Sequence, residues 1–409
     1  ILNSYKSREP VIDGYKFREG LQAVKINGGV AGNVVPDSVT MTINHRFAPD
    51  TTPMQAEENM KKLFIAAFIF VSTFTTNTFA EVKMGIILGF TGPIESLTPA
   101  MAASAELAFK EASDSGSLLG GETISVVRAD STCVDSAAAT AAAEGVIAQG
   151  VAAIMGADCS GVTGAIASNV AVPNGVVMIS PSATSPGLTA LDDKGFFFRT
   201  APSDARGGQI LADITKDRKV KSVAITYTNN DYGKGLADVY AAAVKAHGIK
   251  VTIVSAHEDG KADYSSEVAT LASAGGDAVA VIGYLDQGGK GIIQGSLDSG
   301  AFDKFILSDG MIGDSLTEAF GKDLNKSFGS IPGSMNKKTA GTFASVAKAA
   351  GIDSSGPYTG ESYDAAALDL ASISKAIAAA GHDTKDHKAS ENTYDGLPMC
   401  CKYERIEDK

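Results

Sequence analysis

VAAIMGADCSGVTGAIASNVAVPNGVVMISPSATSPGLT, residues 151–189, decides the fold. Residues 151–155 form a short apolar run that ends in a loop of small and hydroxyl-bearing residues. Residues 161–171 carry the Ala-rich pattern of a helix, and 175–179 form a second apolar run closed by another hydroxyl-rich turn. Strand, helix and strand in that order make a crossover between parallel neighbours, and strands apolar on both faces need helices on both.

The rhythm continues in both directions. Upstream, strands are expected over 82–88 and 123–129 and helices over 98–113 and 135–149. Downstream, a second series has strands at 220–227, 251–255, 278–283 and 305–308 and helices at 234–246, 265–274 and 289–297. The fold class is therefore α/β, with two doubly wound parallel-sheet lobes. Arg199-Thr200-Ala201-Pro202 leaves the first lobe and Ser330-Ile331-Pro332-Gly333 leaves the second, extended Pro-bearing crossings that suit a hinge. Helices expected at 339–349 and 363–380 return to the first lobe. Lobe one is then 81–200 with 333–381, and lobe two is 201–332.

Net charge is −12, and 20% of residues are charged with no basic block, which argues against nucleic acid or an anionic membrane as partner. There is no HExxH, no CxxC and no cluster of histidines, so neither a metal nor another cofactor is expected.

Met60, Lys61 and Lys62 lead into an apolar run over 63–71 and a small-residue site ending at Ala80. This is the order of a secretory signal peptide, since cations stay on the cytoplasmic side while small side chains suit the peptidase. Translation is expected to start at Met60, with the product released into the periplasm of a diderm cell; a signal anchor is the alternative. Residues 1–59 then read as foreign sequence. Cys133 and Cys159 are the two cysteines of the globular body, and in an oxidising compartment they are expected to bridge. Free buried thiols are the alternative. Cys400 and Cys401 lie in an atypical tail, 382–409, and are assigned no role.

In an open parallel sheet, ligands bind beyond the carboxyl ends of the strands. Ser160, placed as N-cap of the helix after residue 155, and the turn from Ser180 to Pro186 offer hydroxyl and backbone donors at one edge, which suits a carboxylate. Ser160 acting only as a cap is the plainer reading.

The run over 156–189, with FFFRTAPSD (196–204), NNDYGKGLAD (229–238) and YTGESYDAAAL (358–368), resembles the periplasmic binding proteins of branched-chain amino acid ABC transporters, the type I leucine-binding protein family. The resemblance spans roughly 82–380. It implies that an amino acid's α-carboxylate is held by Ser160, Ala183 and Thr184, and its α-ammonium by Thr184 and Asp309. It also implies that Tyr232 and Tyr284 stand near the cleft. Family members often carry Glu where Asp309 stands. Leu97, with Gly92, is a candidate for the side-chain pocket. The implied partners are a small amino acid and the permease and ATPase of an ABC importer, with the protein a monomer. Residues 20–50, with GGVAGNVVPD (28–37), resemble the dimerisation region of succinyl-diaminopimelate desuccinylases and related M20 peptidases, without that family's metal-ligand clusters.

Two rival readings use other residues. Gly313-Asp314-Ser315-Leu316 spells a GDSL hydrolase signature but has no Asp-x-x-His downstream to supply a base. Tyr232-Gly233-Lys234-Gly235 is half of a dinucleotide fingerprint. A ligand-sensing receptor of the same fold is the non-enzyme alternative.

Overall fold

The computed structural model describes residues 7–28, 39–61, 81–116, 122–333 and 337–379. The expected signal segment beyond Lys61 and the tail 382–409 lie outside them. The chain divides into two compact units, Ile1–Thr78 and Phe79–Lys409. In the first, β1 (Val11–Ile12) and β2 (Tyr15–Lys16) form an antiparallel hairpin, as do β3 (Gly20–Gly28) and β4 (Val39–Arg46).

The second unit holds two five-stranded sheets in which every pairing is parallel. The first contains β5 (Glu81–Leu88), β6 (Thr123–Asp130), β7 (Ala153–Gly156), β8 (Val177–Ser180) and β9 (Phe197–Arg199), in the order β6-β5-β7-β8-β9. The second contains β10 (Ser222–Thr228), β11 (Lys250–His257), β12 (Ala278–Ile282), β13 (Phe305–Leu307) and β14 (Phe328–Gly329), in the order β11-β10-β12-β13-β14. The two orders are the same. In each, the chain steps outward from the first strand in opposite directions, leaving a switch point between β5 and β7 and another between β10 and β12. Loops diverge there and open a crevice at the strand ends.

The two-residue period of a strand explains the double-sided core. Met84, Ile86 and Leu88 of β5 pack with Met101 and Phe109 of α1 (Thr98–Asp114) and with Ala365 and Ala366 of a C-terminal helix. Ile87 faces the opposite layer with Ala139 and Val146 of α2 (Ser136–Ala148). Asp135 caps α2 by accepting from the backbone N–H groups of Ala137 and Ala138.

After α3 (Ser160–Ile166) the backbone widens into a π-helical segment, Ala167–Ala171, and stays helical to Asn174, so the helix expected over 161–171 is present with a wider second half. Pro173, which has no N–H to donate, lies just beyond. The second sheet is flanked by α4 (Asp204–Asp217), α5 (Asp231–Ala246), α6 (Ser265–Ala274), α7 (Lys290–Ser299) and α8 (Asp314–Phe320). The chain then returns through α9 (Lys337–Ala349) and α10 (Thr359–Ala379), and α10 packs on α1, β7 and β8 of the first sheet. Among the described residues no helix is long and apolar enough to cross a membrane.

Candidate functional site

The strand-end loops of the two sheets meet. From the first switch point come Leu97, after β5, and Ser160, after β7. From the second come Tyr232, at the start of α5, and Tyr284, after β12; Asp309 follows β13. These five line one small cavity together with Ile94, Met101, Ser182 and Tyr358. Its volume is about 30 Å³, room for about one water molecule. Thr184 and Asp309 line an adjoining cavity of about 100 Å³, which continues to Asp204, Arg206 and Ser330-Ile331-Pro332 at the crossings between the lobes. Asp309 belongs to both.

Asp309 is the centre of the arrangement. It is buried, and its Oδ1 accepts a 2.7 Å hydrogen bond from the Tyr232 hydroxyl while Oδ2 accepts from the Tyr358 hydroxyl. Tyr232 also reaches Ser308 Oγ at 2.9 Å, and its ring stacks on Tyr284 with centroids 5.1 Å apart. Burial pushes the Asp309 carboxyl up, and the two tyrosine hydrogen bonds pull it back down.

Asp204, in the first turn of α4, is the second buried carboxylate. Burial and then the charge of Asp309 push it up to about 8, against the opposing pull of Thr184 and Arg199. The Thr184 hydroxyl is near enough to lower the Asp204 pKa, yet Thr184 Oγ1 and Asp204 Oδ2 both lack a partner in proper hydrogen-bond geometry. Two carboxylates and an unsatisfied hydroxyl oxygen thus gather around one buried volume. A group with several N–H donors and a positive charge would satisfy them all.

The sign of the resulting pH dependence follows directly. Because the folded-state pKa of Asp204 lies above its unfolded value, the folded chain binds that proton more tightly, so stability is lost as pH rises from about 4 to about 8. Asp204→Asn should flatten this slope and raise the ligand-free Tm above pH 8 by on the order of 5 °C. Thermal unfolding of both proteins across pH 4–9 checks it; parallel profiles would contradict it.

Three expected positions differ in detail. Cys159, not Ser160, occupies the N-cap of α3; Ser160 is the first helical residue, and its Oγ accepts from the Ser185 N–H at 3.1 Å. Cys159 is drawn into the extended cap conformation beside its bond to Cys133. Ala183 is buried and lines neither cavity, and its N–H is taken by Ser180 Oγ at 2.9 Å. Gly92 lies in the left-handed region at φ +105, where an added Cβ would meet Thr132 O at 2.5 Å, so it serves the turn.

Among the lining residues not assigned from sequence are Asp158, Asp204 and Tyr358. Asp158, fully buried, accepts from Gly89 N at 2.6 Å, Ser131 Oγ at 3.1 Å and Cys159 N at 2.9 Å, tying the β5 loop and the cysteine loop to the start of α3. Ser315 of the GDSL-like phrase contacts Lys290 Nζ at 3.0 Å and Asp286 Oδ1 at 3.2 Å. Lys290 is itself paired with Asp286, and neither of these two contacts is the histidine that the hydrolase signature requires.

Paired parallel sheets with a shared cleft define a two-lobed binding protein of type I architecture. Residues 81–391 match the profile described as periplasmic binding protein, and the chain belongs to that family. Residues 13–68 match the peptidase dimerisation domain. Among relatives, the Leu/Ile/Val-binding protein homolog 3 of Brucella melitensis is 31% identical over 56% of this chain and 62% of its own length. Homolog 1 of the same organism is 32% identical over 61% of this chain and 67% of its own. The chain thus spans roughly two thirds of the curated relatives it matches. The fold is shared with a leucine-binding protein of Thermotoga maritima, with a TM-score of 0.63 and 24% identity over 72% of this chain and 83% of that one. It is also shared with a branched-chain amino acid transporter substrate-binding protein of Streptococcus pneumoniae solved with isoleucine, with a TM-score of 0.61 and 23% identity over 72% and 88%.

Proposed function

We propose that the chain captures a small zwitterionic amino acid, branched-chain or otherwise aliphatic, between its lobes and delivers it to the permease and ATPase of an ABC importer, without catalysing a reaction. The observation that carries this reading is the convergence of Asp204, Asp309 and the unsatisfied Thr184 hydroxyl on one buried volume, a seat for an α-ammonium. Ser160 and the turn at Thr184 would receive the carboxylate from the first lobe. Ile94, Leu97 and Met101 supply an apolar wall for an aliphatic side chain. The names of the relatives point the same way.

Lobe one comprises 81–200 and 333–381, and lobe two 201–332. The site lies between the lobes, which part about the two crossings to admit a solute and close again over it. A monomer, exported by the segment at 60–80, fits this task. Thermal unfolding of the full chain with a panel of amino acids tests the function. A single aliphatic amino acid should raise Tm, since a ligand of the folded state adds RT ln(1 + [L]/Kd). A chain that responds to an aromatic carboxylate and to no amino acid would require a different function.

A further inference from the structure

We propose that Asp286 is a closure latch that sets how long the bound solute stays, an inference resting on the solute-binding function above. Asp286 follows β12 in the second lobe, and the loop it meets, 92–97, follows β5 in the first. Two hydrogen bonds cross between them: Ser96 N–H donates to Asp286 Oδ2 at 2.9 Å, and Asp286 N–H donates to Pro93 O at 2.8 Å. On its own lobe the carboxylate is fixed by Lys290 Nζ at 3.3 Å and by the Ser315 hydroxyl at 3.2 Å. Ser315 in turn approaches Ser96 Oγ at 3.4 Å across the cleft. The Asp286 side chain is only 10% exposed, which holds its carboxylate in place, while Ser96 at the other end of the bond is exposed.

Neither Asp286, Lys290 nor Ser315 lines the small cavity around Asp309, so the latch does not read the solute. It can form only when the lobes are shut. Such a contact acts on escape rather than on encounter, as interactions made after docking generally do. Gly313 shows how closely the rims approach: a Cβ built on it would lie 2.8 Å from Cδ2 of Leu97 in one lobe and 2.8 Å from Cδ2 of Leu285 in the other. Its φ of −176° is extended backbone open to any residue, so alanine here presses on the ends of the two leucine side chains without altering the turn. The serine of the GDSL-like phrase thereby acquires a mechanical role.

The test is stopped-flow dissociation of L-leucine from the full-length protein and its variants. Asp286→Ala should speed dissociation roughly tenfold, the effect of losing one charge-assisted hydrogen bond, with association changed less than about threefold. Gly313→Ala should move the same rate in the same direction. Unchanged dissociation in both variants would overturn the latch. If the unaltered protein binds no leucine, the proposed ligand class fails separately, and small-angle scattering of the solute-free proteins decides the latch. A larger radius of gyration for Asp286→Ala supports it, and equal radii overturn it.

Discussion

Replacing Asp309 by alanine is expected to weaken amino acid binding at least a hundredfold, the largest effect of any single substitution in the cleft. Breaking a buried, hydrogen-bonded charge pair by removing one partner costs about 3–5 kcal/mol. Asp309 is positioned for that cost to be fully felt, because the hydroxyls of Tyr232 and Tyr358 both donate to it and leave its charge directed at the cleft. Its loss would strand the buried Tyr358 hydroxyl, leave Tyr232 with Ser308, and leave the ammonium with Asp204 as its one carboxylate. Asp309→Asn keeps the shape and one acceptor but removes the charge, and it should fall between the alanine variant and the unaltered protein. Isothermal titration of the three folded proteins makes the comparison; equal affinities would remove Asp309 from the site.

Breaking the Cys133–Cys159 bond should have the largest effect on stability. The cysteines are 26 residues apart in sequence, a loop whose closure is worth about 3 kcal/mol in the chain-entropy account. The Cys133→Ser, Cys159→Ser double variant should therefore melt roughly 5–10 °C lower. It should also bind solute less tightly, because the bridge holds Cys159 immediately before Ser160, and Cys159 itself lines the inner cavity. Reduction of the unaltered protein should reproduce both effects. A reduced protein with unchanged Tm and affinity would show that the fold positions α3 without the bridge.

The sheets were legible because alternating apolar runs and Ala-rich helices state their own period, and the strand-end loops then follow from the winding of a parallel sheet. Leu97, Ser160, Tyr232, Tyr284 and Asp309 come to one cavity for that reason. The two edge strands, β9 and β14, are three and two residues long, too short to carry a period, and only the exits that follow them, from Arg199 and from Ser330, are legible.

Asp204 was hidden by its local setting, since an acid in the first turn of a helix looks like a partner for the helix dipole. Only tertiary structure places it beside Asp309. Tyr358 begins the YTGESYD phrase, but its hydroxyl meets Asp309 from 49 residues away, a contact no local pattern encodes. The competition for the Ala183 N–H by Ser180 was equally invisible, because it depends on how tightly the turn after β8 folds back on itself.

Calorimetric titration of L-leucine against 4-methylpentanoate, the same skeleton without its amino group, tests most directly whether the cleft is built around an α-ammonium. With Asp204, Asp309 and Thr184 as its seat, leucine should bind and the des-amino acid should bind at least a hundredfold more weakly, since it would leave those buried acceptors unsatisfied. Equal or tighter binding of the des-amino acid would contradict that account and identify the cleft as a site for carboxylates without an amine.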